Sequence, residues 1–472
     1  MQDIKKIKNH IQQSTHRNSL TLLHADVTIL NEVYDMGKIT RHPLFSKADA
    51  LKSAFMLNGF LLYDNGLMLE IETSDWISDS FRRTEEIKRK PILLADGSYA
   101  LRSELLMAQL SKIRNPLPIR AIAAGRVFDG NDAFYPGHLV IEGVLASEDI
   151  TLKEYTKMWE AIARKLYGME AEAVLTPLTV NTYKVEVSVR KDTFVFAHTG
   201  LATNLTKALL GTDSREATTW IFELDVDAIT IHDYQLEGRE ALYDQRFSFI
   251  SQYECDSPAL GDCFANKVTD ALRAQGYVEF IGDKLYRQPD CYEKMNMIME
   301  DWDINNKGIP LAEPLGDKNG LPTVLVPALQ QALAANQQSG EEAVKIFEIG
   351  HIFLPGTDGE GPEEKLAVSI GAYGSDMDKA KFRKGIDQFL SEIGISNHFF
   401  IPTTMAIPYD PEDCWIVLDE TMSYLGGNFG SICQKALDNQ GIGVPAYMAQ
   451  FEIGLLKDKA EKEYRFTPPE LA

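Results

Sequence analysis

Apolar and polar positions repeat at helical spacing in several stretches of the chain. Residues 151–166 place their apolar side chains on one helical face, which is typical of an amphipathic helix packed on a core. The stretches 46–57 and 261–275 lie just before Gly59 and Gly276, and glycine commonly ends a helix. Residues 103–113, 381–394 and the polar segment 1–40 also have helical composition. We therefore predict a helix at each of these positions.

Runs rich in β-branched and aromatic residues predict strands elsewhere. They occupy 60–72, 92–101, 172–189, 193–198 and 219–229 in the first half of the chain, and 344–354 and 447–456 in the second. Residues 119–145 form two apolar runs around a turn rich in Gly, Asn, Asp and Pro, which predicts a long hairpin. The chain therefore mixes helix and strand along its length.

The order of elements recurs in the two halves. Residues 207–229 and 435–459 both contain a helix, a glycine-bearing turn and a strand centred on Phe-Glu. A repeat this long favours two related domains over a solenoid of short units. We predict an α+β fold of two modules, each an antiparallel sheet flanked by helices. The predicted divisions are a helical segment at 1–40, a first module at 41–245 and a second module at 246–472.

The charge balance argues against a nucleic-acid-binding protein. The 472 residues include 69 acidic and 47 basic side chains, a formal net charge of −22. Phosphate binding depends on Lys and Arg, so a nucleic acid is not expected as a partner. The five cysteines and nine histidines lack the spacing of a disulfide framework or a metal site, and we expect no metal.

No stretch of the sequence has the features of a membrane segment. No apolar run approaches the roughly 18–20 residues that span a bilayer, and the N-terminal residues lack the apolar centre of a signal peptide. We expect a cytoplasmic protein without membrane contacts.

Ordered motifs extend over residues 41–456. The first half contains RHPLFSKADALKSAFMLNGF (41–60), LEIETSDW (69–76) and YALRSELLMAQLSKIRNPLPIRAIAAGRVF (99–128). The second half contains LAEPLGDKNGLPTVLVPALQQALAANQQ (311–338), VKIFEIGHIF (344–353) and AQFEIGLL (449–456). The first set resembles the catalytic α subunit of phenylalanyl-tRNA synthetase, a class II aminoacyl-tRNA synthetase, and the second resembles the core of its β subunit. The resemblance implies an α-like and a β-like class II module fused in one chain.

The chain departs from this family at the positions that hold ATP. The resemblance implies one arginine in a Phe-Arg-x-Glu element of the hairpin and a second at the end of a Gly-rich strand. FDGN at 128–131 instead has Asp129 for the first arginine and Asn131 for the glutamate. FELDVDAI at 222–229 has Ala228 or a neighbouring residue for the second arginine, and Glu223 and Asp225 for two glycines. Carboxylates repel a triphosphate, so we expect that the ATP chemistry is lost.

The residues of the amino-acid pocket implied by the resemblance also differ from those of the family. RSELL (102–106) replaces Arg-Thr-His-Thr-Ser, and PLTVN (177–181) replaces the Phe-Pro-Phe element that binds the substrate ring. HLVIEG (138–143) has Val140 for a glutamine but keeps Glu142, which in the family holds the substrate ammonium. Phenylalanine is therefore not the expected ligand.

No catalytic residue is assigned from the sequence. Six residues are candidates for ligand binding: Arg102, Gln109, Arg126, His138, Glu142 and Glu186. Glu142 either contacts a ligand ammonium or pairs within the hairpin, with Arg102 or Lys184 as internal partner. His138 in the hairpin turn is either a proton carrier or an exposed loop histidine. Arg126 either braces strands or binds phosphate. We expect a pocket bordered by Gln109, Glu142 and the strand 176–187, with surplus negative potential.

Three functions are weighed from these residues. The first is a degenerate synthetase-like protein that binds an amino acid or amine-bearing small molecule, or acts as a regulatory or partner protein, without a cofactor. The second is a ligase that activates an amino acid other than phenylalanine with ATP and Mg²⁺. The third and weakest is a phenylalanine–tRNA ligase. Because family modules pair through their faces, we also expect a homodimer.

Overall fold

The structure, a computed structural model, describes residues 42–63, 69–71, 89–95, 97, 99–105, 113, 116–212, 217–253, 263–287, 293–295, 308–356, 361–404 and 408–463. The predicted helical segment 1–40, most of the predicted helix 103–113 and the candidate residue Gln109 lie outside these ranges. From Pro43 onward, contacts divide the chain into two compact units, Pro43–Leu242 and Tyr243–Ala472, which we call the first and second module. The division falls three residues before the predicted boundary.

The first module consists of short and long strands interspersed with helices. Its described helices are α1 (Pro43–Leu57), α2 (Leu152–Tyr167), α3 (Asn204–Leu210), α4 (Val226–Asp233) and α5 (Arg239–Leu242). Its described strands are β1 (Leu61–Tyr63), β2 (Leu69–Ile71), β3 (Ile92–Leu93), β4 (Tyr99–Leu101), β5 (Ile119–Phe128), β6 (Gly137–Ser147), β7 (Glu172–Pro177), β8 (Thr182–Val189), β9 (Asp192–Leu201) and β10 (Thr218–Asp225).

The second module has a similar succession of elements. Its described helices are α6 (Phe247–Ile250), α7 (Cys263–Ala274), α8 (Val326–Gln338), α9 (Lys379–Glu392), α10 (Gln434–Gln440) and α11 (Ile453–Glu463). Its described strands are β11 (Val278–Glu279), β12 (Ile309–Leu315), β13 (Lys318–Leu321), β14 (Val344–Leu354), β15 (Glu363–Tyr373), β16 (His398–Pro402), β17 (Tyr409–Asp419), β18 (Tyr424–Ile432) and β19 (Ala446–Glu452).

Each module is built on a seven-stranded sheet, and the two sheets have the same strand plan. The orders are β1-β5-β6-β10-β9-β8-β7 and β11-β14-β15-β19-β18-β17-β16. The edge strands β1 and β11 run parallel to β5 and β14, and the other neighbours are antiparallel. The predicted pair of antiparallel modules flanked by helices is confirmed, with a parallel edge strand added to each.

The amphipathic helix α2 covers one face of the first sheet. Its N-terminus is closed by a capping box, in which the Thr151 hydroxyl accepts from the Glu154 N–H and the Glu154 carboxylate accepts from the Thr151 N–H. Its buried face includes Trp159, whose ring lies edge-on to Phe222 of β10 at 5.0 Å between centroids. Burying such a ring stabilises the fold by about 1.5–3 kcal/mol. Since Phe222 faces this helix, the next residue, Glu223, faces the opposite side of the sheet.

A glycine opposite a phenylalanine recurs in both sheets. Gly143 pairs with Phe222, and a Cβ at Gly143 would lie 2.1 Å from the Phe222 ring. Gly427 pairs with Phe451, and a Cβ there would lie 1.8 Å from that ring. Each phenylalanine therefore lies directly over the backbone of the neighbouring strand.

Two predicted strands end earlier than expected. The predicted strand 219–229 ends at Asp225, and α4 begins at Val226 because the Asp225 carboxylate accepts from the Ala228 N–H at 3.0 Å and caps the helix. Ala228 therefore lies on a helix, not on the end of a strand. The predicted strand 447–456 likewise gives way to α11 at Ile453.

The segment that opens the second module is attached to α8. The fully buried Asn336 side chain donates to the Gln245 carbonyl at 2.9 Å and accepts from the Phe247 N–H at 2.6 Å. Residues 245–247 are thereby joined to the second module's own core.

Candidate ligand-binding site

A cavity of about 540 Å³ opens in the first module beside the tip of the β5–β6 hairpin. Its lining comprises hairpin residues, side chains of β6, β9 and β10, and two arginines: Asp129, Asn131, Asp132, Ala133, Phe134, His138, His198, Glu223, Asp225, Arg89 and Arg239. This volume lies in the range of ordinary small-molecule sites. Acidic side chains supply four members of the lining.

Strand register places polar side chains on the face away from α2. Glu142 of β6 pairs with Glu223 of β10, Glu223 pairs with His198 of β9, and His198 pairs with Lys184 of β8. Directly paired residues in antiparallel strands project to the same side of a sheet. These four side chains therefore form one polar row on the sheet. Two of them, Glu223 and His198, line the cavity.

Arg89 is held by Glu223 in the cavity wall. Its two terminal nitrogens contact the two carboxylate oxygens at 2.5 and 3.1 Å, and one of them also donates to the Ser103 carbonyl at 3.0 Å. Both side chains are largely buried. This bidentate pair neutralises the guanidinium, and Glu223 occupies a position where the family resemblance implies glycine.

Arg239 on α5 bridges two further carboxylates. It donates to Asp132 Oδ2 at 2.9 Å and lies 3.5 Å from Asp225 Oδ2. Asp132 Oδ1 also accepts from the N–H groups of Phe134 and Tyr135, which fixes the hairpin turn. Partial burial alone raises the pKa of Asp132, but these N–H groups and the guanidinium outweigh it and lower the pKa below the ordinary value.

Asp225, the last residue of β10, and Asp129, which directly follows β5, both line the cavity. Burial, followed by the neighbouring Glu223 charge, raises the pKa of Asp225, although the Ala228 N–H and Arg239 act against the shift. The Asp225 side chain is nevertheless 42% exposed, so its carboxylate is accessible from the cavity. Asp129 Oδ1 accepts from the N–H groups of Lys90 and Asn131, both at 2.9 Å.

His138 differs from its predicted position in the hairpin turn. It is the second residue of β6, and its side chain is only 6% exposed because the sheet and the folded-back turn cover it. Burial, reinforced by Arg239 and Arg89, lowers its pKa to about 3, so the imidazole is neutral at ordinary pH. Among the described residues its Nδ1 has no hydrogen-bond partner. The interpretation as an exposed loop histidine is wrong.

The predicted arginines brace the hairpin in the described structure. Arg102 Nε donates to the Arg126 carbonyl at 2.6 Å, and Arg126 Nη1 donates to the Gly137 carbonyl at 2.9 Å. Both side chains are buried. These contacts match the strand-bracing interpretation of Arg126, and neither arginine belongs to the cavity lining.

The predicted carboxylates Glu142 and Glu186 are likewise not part of the cavity lining. Glu142 is fully buried, and its Oε2 accepts from the Leu105 N–H at 2.9 Å. Glu186 on β8 is half-buried and accepts a hydrogen bond from Thr176 on β7. The cavity thus lies nearer the hairpin tip than the predicted pocket, and of the described candidates it includes His138.

Sequence reasoning missed both cavity arginines as site residues. Arg89 belongs to the basic run 81–90, whose composition fits a solvated helix, and its partner Glu223 is 134 residues away. Arg239 is 107 residues from Asp132. No local spacing signals such contacts, because the sheet and the turn bring the partners together.

Among the described residues, no group of three or more His, Cys, Asp or Glu side chains is placed to hold a metal ion. Within the same ranges, none of the helices has both the length and the apolar character needed to cross a membrane.

Comparisons with known families match both modules. Residues 24–253 match the family described as tRNA synthetases class II core domain (F). Residues 261–453 match the phenylalanyl tRNA synthetase beta chain CLM domain. The two matches follow each other along the chain in the order that the sequence motifs predict.

Individual relatives show the same two-part pattern. A phenylalanine–tRNA ligase β subunit of Clostridium acetobutylicum is 23% identical over 205 residues, which is 43% of this chain and 25% of that subunit. An α subunit of the same enzyme from Staphylococcus epidermidis is 24% identical over 257 residues, covering 48% of this chain and 71% of the subunit. The chain spans about a quarter of the length of the β subunits that it matches.

Among solved structures, a pyrrolysyl-tRNA synthetase of Desulfitobacterium hafniense is similar to part of this chain, with a TM-score of 0.35 and 16% identity. The alignment covers 42% of this chain and 66% of the synthetase chain. The family assignment rests on the two successive family matches and their relatives. The chain belongs to the phenylalanyl-tRNA synthetase family, as a divergent member in which an α-like class II core is followed by a β-like core module.

Proposed function

We propose that the first module binds an amine-bearing small molecule in its cavity and does not form an aminoacyl adenylate. The observation that carries this proposal is the pairing of both cavity arginines with carboxylates. Arg89 is held by Glu223, and Arg239 is held by Asp132 and approaches Asp225. The charge that a triphosphate would need is therefore already neutralised.

The charge of the lining favours a cation. Four carboxylates and two guanidinium groups line the cavity, which leaves two surplus negative charges when both histidines are counted as neutral. Carboxylates in a partly enclosed site cost free energy unless a positive partner compensates them. A ligand ammonium supplies that partner.

The positions that the family uses for ATP support the same conclusion. Asp129 stands where the resemblance implies one arginine, Ala228 or a neighbouring residue stands where it implies the other, and Asp129 lines the cavity itself. Removing one preorganised charge contact typically costs about 3–4 kcal/mol of transition-state stabilisation, or 10²–10³-fold in rate. Two losses and an added negative charge leave phenylalanine activation at background level.

Pyrophosphate exchange and ligand binding test the two parts of the proposal. We expect no phenylalanine-dependent exchange between pyrophosphate and ATP above a no-enzyme control. We expect thermal stabilisation by pentylamine, weakened in Asp129→Asn and unchanged in Asp376→Asn, whose exposed side chain lies in the second module. Robust exchange with phenylalanine, or no stabilisation by any amine, would contradict the proposal.

A second candidate is an amino-acid-activating ligase that uses relocated cations. It is favoured by the presence of two guanidinium groups in one cavity, since an ATP molecule that displaced their carboxylate partners would meet both. Exchange with an amino acid other than phenylalanine, dependent on Mg²⁺ and lost in Arg239→Ala, would establish this alternative. Arg383→Ala is the matched control, because that guanidinium stacks on Trp415 in the second module.

Assembly is a separate proposal. A homodimer is expected from the way family modules pair, and static light scattering of the full chain tests it. A regulatory role would require such an assembly or another protein partner, whereas tRNA is disfavoured by the net charge of −22.

A further inference from the structure

We infer that the ligand of the first module's cavity is a compact dication with two ammonium-type groups joined by an apolar spacer. This inference rests on the proposed function and specifies its ligand class. Its first support is the charge count, because one positive charge would leave a net negative charge in the lining and two would balance it.

Two carboxylates are placed to receive the two ligand charges. Asp129 Oδ1 is held by backbone N–H groups, and in the described part of the chain no hydrogen bond reaches its Oδ2. Asp225 Oδ1 caps α4, while its Oδ2 lies 3.5 Å from Arg239, beyond normal hydrogen-bond length. Asp129 directly follows β5 and Asp225 is the last residue of β10, so the two acids reach the cavity from different strands and each can receive one ammonium.

His138 is an independent sign of a ligand. Its side chain is more than nine-tenths buried and lines the cavity, and its Nδ1 lacks a partner among the described residues. A buried imidazole nitrogen without a partner costs free energy. A ligand N–H group would satisfy it, and because the ring is neutral it does not repel a cation.

The remaining lining suits a methylene spacer. Ala133 and Phe134 belong to the lining, and the Phe134 side chain is 81% exposed at the hairpin tip. A short alkyl chain that covers this ring removes apolar surface from water. The cavity volume of about 540 Å³ accommodates a diamine with a few methylene groups.

A zwitterionic amino acid fits this charge pattern less well. Its carboxylate would need a guanidinium, and both cavity arginines already pair with acids. The site therefore discriminates between a diamine and an α-amino acid of similar length by electrostatics.

Titration calorimetry of the full chain with three probes tests the inference. The probes are cadaverine, a linear diamine, pentylamine, a monoamine of the same length, and norleucine, a zwitterion of similar length. At low ionic strength we expect cadaverine to bind at least about tenfold more tightly than pentylamine, and norleucine to bind more weakly than either.

Conservative substitutions test whether Asp129 and Asp225 each bind one ammonium group of the ligand. Asp129→Asn and Asp225→Asn each keep a side-chain oxygen for their backbone contacts, and Asn remains a good helix cap at position 225. Each change should weaken the binding of cadaverine about tenfold and the binding of pentylamine only about twofold, because the monoamine can bind to the remaining carboxylate. Asp376→Asn should change neither affinity.

The outcomes separate this inference from the proposed function. Equal affinity for cadaverine and pentylamine, or norleucine binding as tightly as cadaverine, would overturn the dication and leave amine binding standing. Failure of every amine to bind would overturn the proposed function itself. If neither variant bound any of the three probes while both unfolded at the wild-type temperature, the assignment of one acid to each ligand end would be overturned.

Discussion

The two modules share a strand plan but place a buried acidic side chain on different strands. In the first module Glu142 lies on β6 opposite Ala123 of β5, and in the second Glu348 lies on β14 opposite Ser369 of β15. The strands β5 and β14 correspond residue by residue at their ends, GRVF and GHIF. The carboxylate is therefore displaced sideways by one strand between two otherwise matching sheets.

Each carboxylate retains a backbone donor despite this displacement. Glu142 accepts from the Leu105 N–H and Glu348 from the Gly282 N–H, both at 2.9 Å. Glu348 is also ion-paired with Lys284. The position of a buried acid can therefore differ between two modules of this fold if a backbone N–H group accompanies it, because desolvated carboxylates need donors.

The largest effect is expected from separating the second module's ion pair. Glu348 is 1% exposed and Lys284 is largely buried, so Lys284→Met leaves the carboxylate without its charge partner. We expect a loss of about 3–5 kcal/mol in the free energy of unfolding of the second module. Hydrogen exchange of β14 peptides as a function of urea measures it.

The pair Lys318–Asp283 supplies the control for this experiment, because its carboxylate is not buried as Glu348 is. Asp283 is half exposed, so Lys318→Met should cost no more than about 1 kcal/mol. Equal costs for the two lysine variants would show that Glu348 does not depend on its ion pair.

The glycine–phenylalanine contacts test whether the two sheets are packed alike. Gly143→Ala and Gly427→Ala each place a methyl group within 2.1 Å of a buried ring, which must shift. Each change should destabilise its own module by about 1–3 kcal/mol. Thermal unfolding combined with hydrogen exchange assigns the loss, and Gly238→Ala is the control because no atom lies within 4 Å of its added Cβ. A loss confined to one module would break the comparison.

Acid sensitivity should distinguish the first module from the second. The folded pKa of His138 is lowered to about 3, so protonation favours the unfolded chain, whose histidine pKa is about 6.5. The neutral histidine carries no penalty above that value, and stability falls as the pH drops from about 6.5 toward 3. At pH 5 the loss is about 2 kcal/mol.

His138→Gln should remove this part of the pH dependence of first-module unfolding. The matching position in the second module is Lys365, which is ion-paired with Glu452 and Glu363 and titrates far above this range. Unfolding of the second module should therefore lack a histidine contribution at this position. An identical pH profile in wild type and His138→Gln would contradict the buried neutral imidazole.

The smallest expected effects concern the helices that follow the matching hairpins. Thr151 caps α2 in a reciprocal capping box, whereas Asp378 caps α9 by accepting from the Lys381 N–H at 2.8 Å. Thr151→Ala and Asp378→Ala should each cost about 1 kcal/mol in thermal unfolding. Thr151→Ser should restore most of the loss, and failure to do so would point to the methyl group instead of the hydroxyl.

Periodic segments of the fold were accessible from sequence, and long-range contacts were not. The strand 344–354 has the bounds predicted, and the helix predicted at 151–166 is observed at Leu152–Tyr167, because alternation and helical spacing are local properties. The change from strand to helix after Asp225 depends on one capping contact, which the apolar pattern does not reveal. The family resemblance supplied the relation between the modules.

The candidate site was harder to predict than the fold. His138 was selected as a residue, but its burial depends on the sheet and turn around it, and its lowered pKa adds the remote guanidinium groups of Arg89 and Arg239. Glu142 was selected from the family pattern, yet in the described structure its oxygen meets the Leu105 backbone. The sequence thus identified the region around the β5–β6 hairpin, whereas tertiary contacts decide which carboxylates reach the cavity.

The buried Asn336 side chain has a practical consequence for work on isolated modules. Its hydrogen bond to the Gln245 carbonyl means that the second module requires a residue that sequence patterns assign to the first. A truncated chain beginning at Arg246 would deprive a buried amide hydrogen of its acceptor, at a cost of about 1–3 kcal/mol. Separate expression of the second module should therefore begin at or before Tyr243.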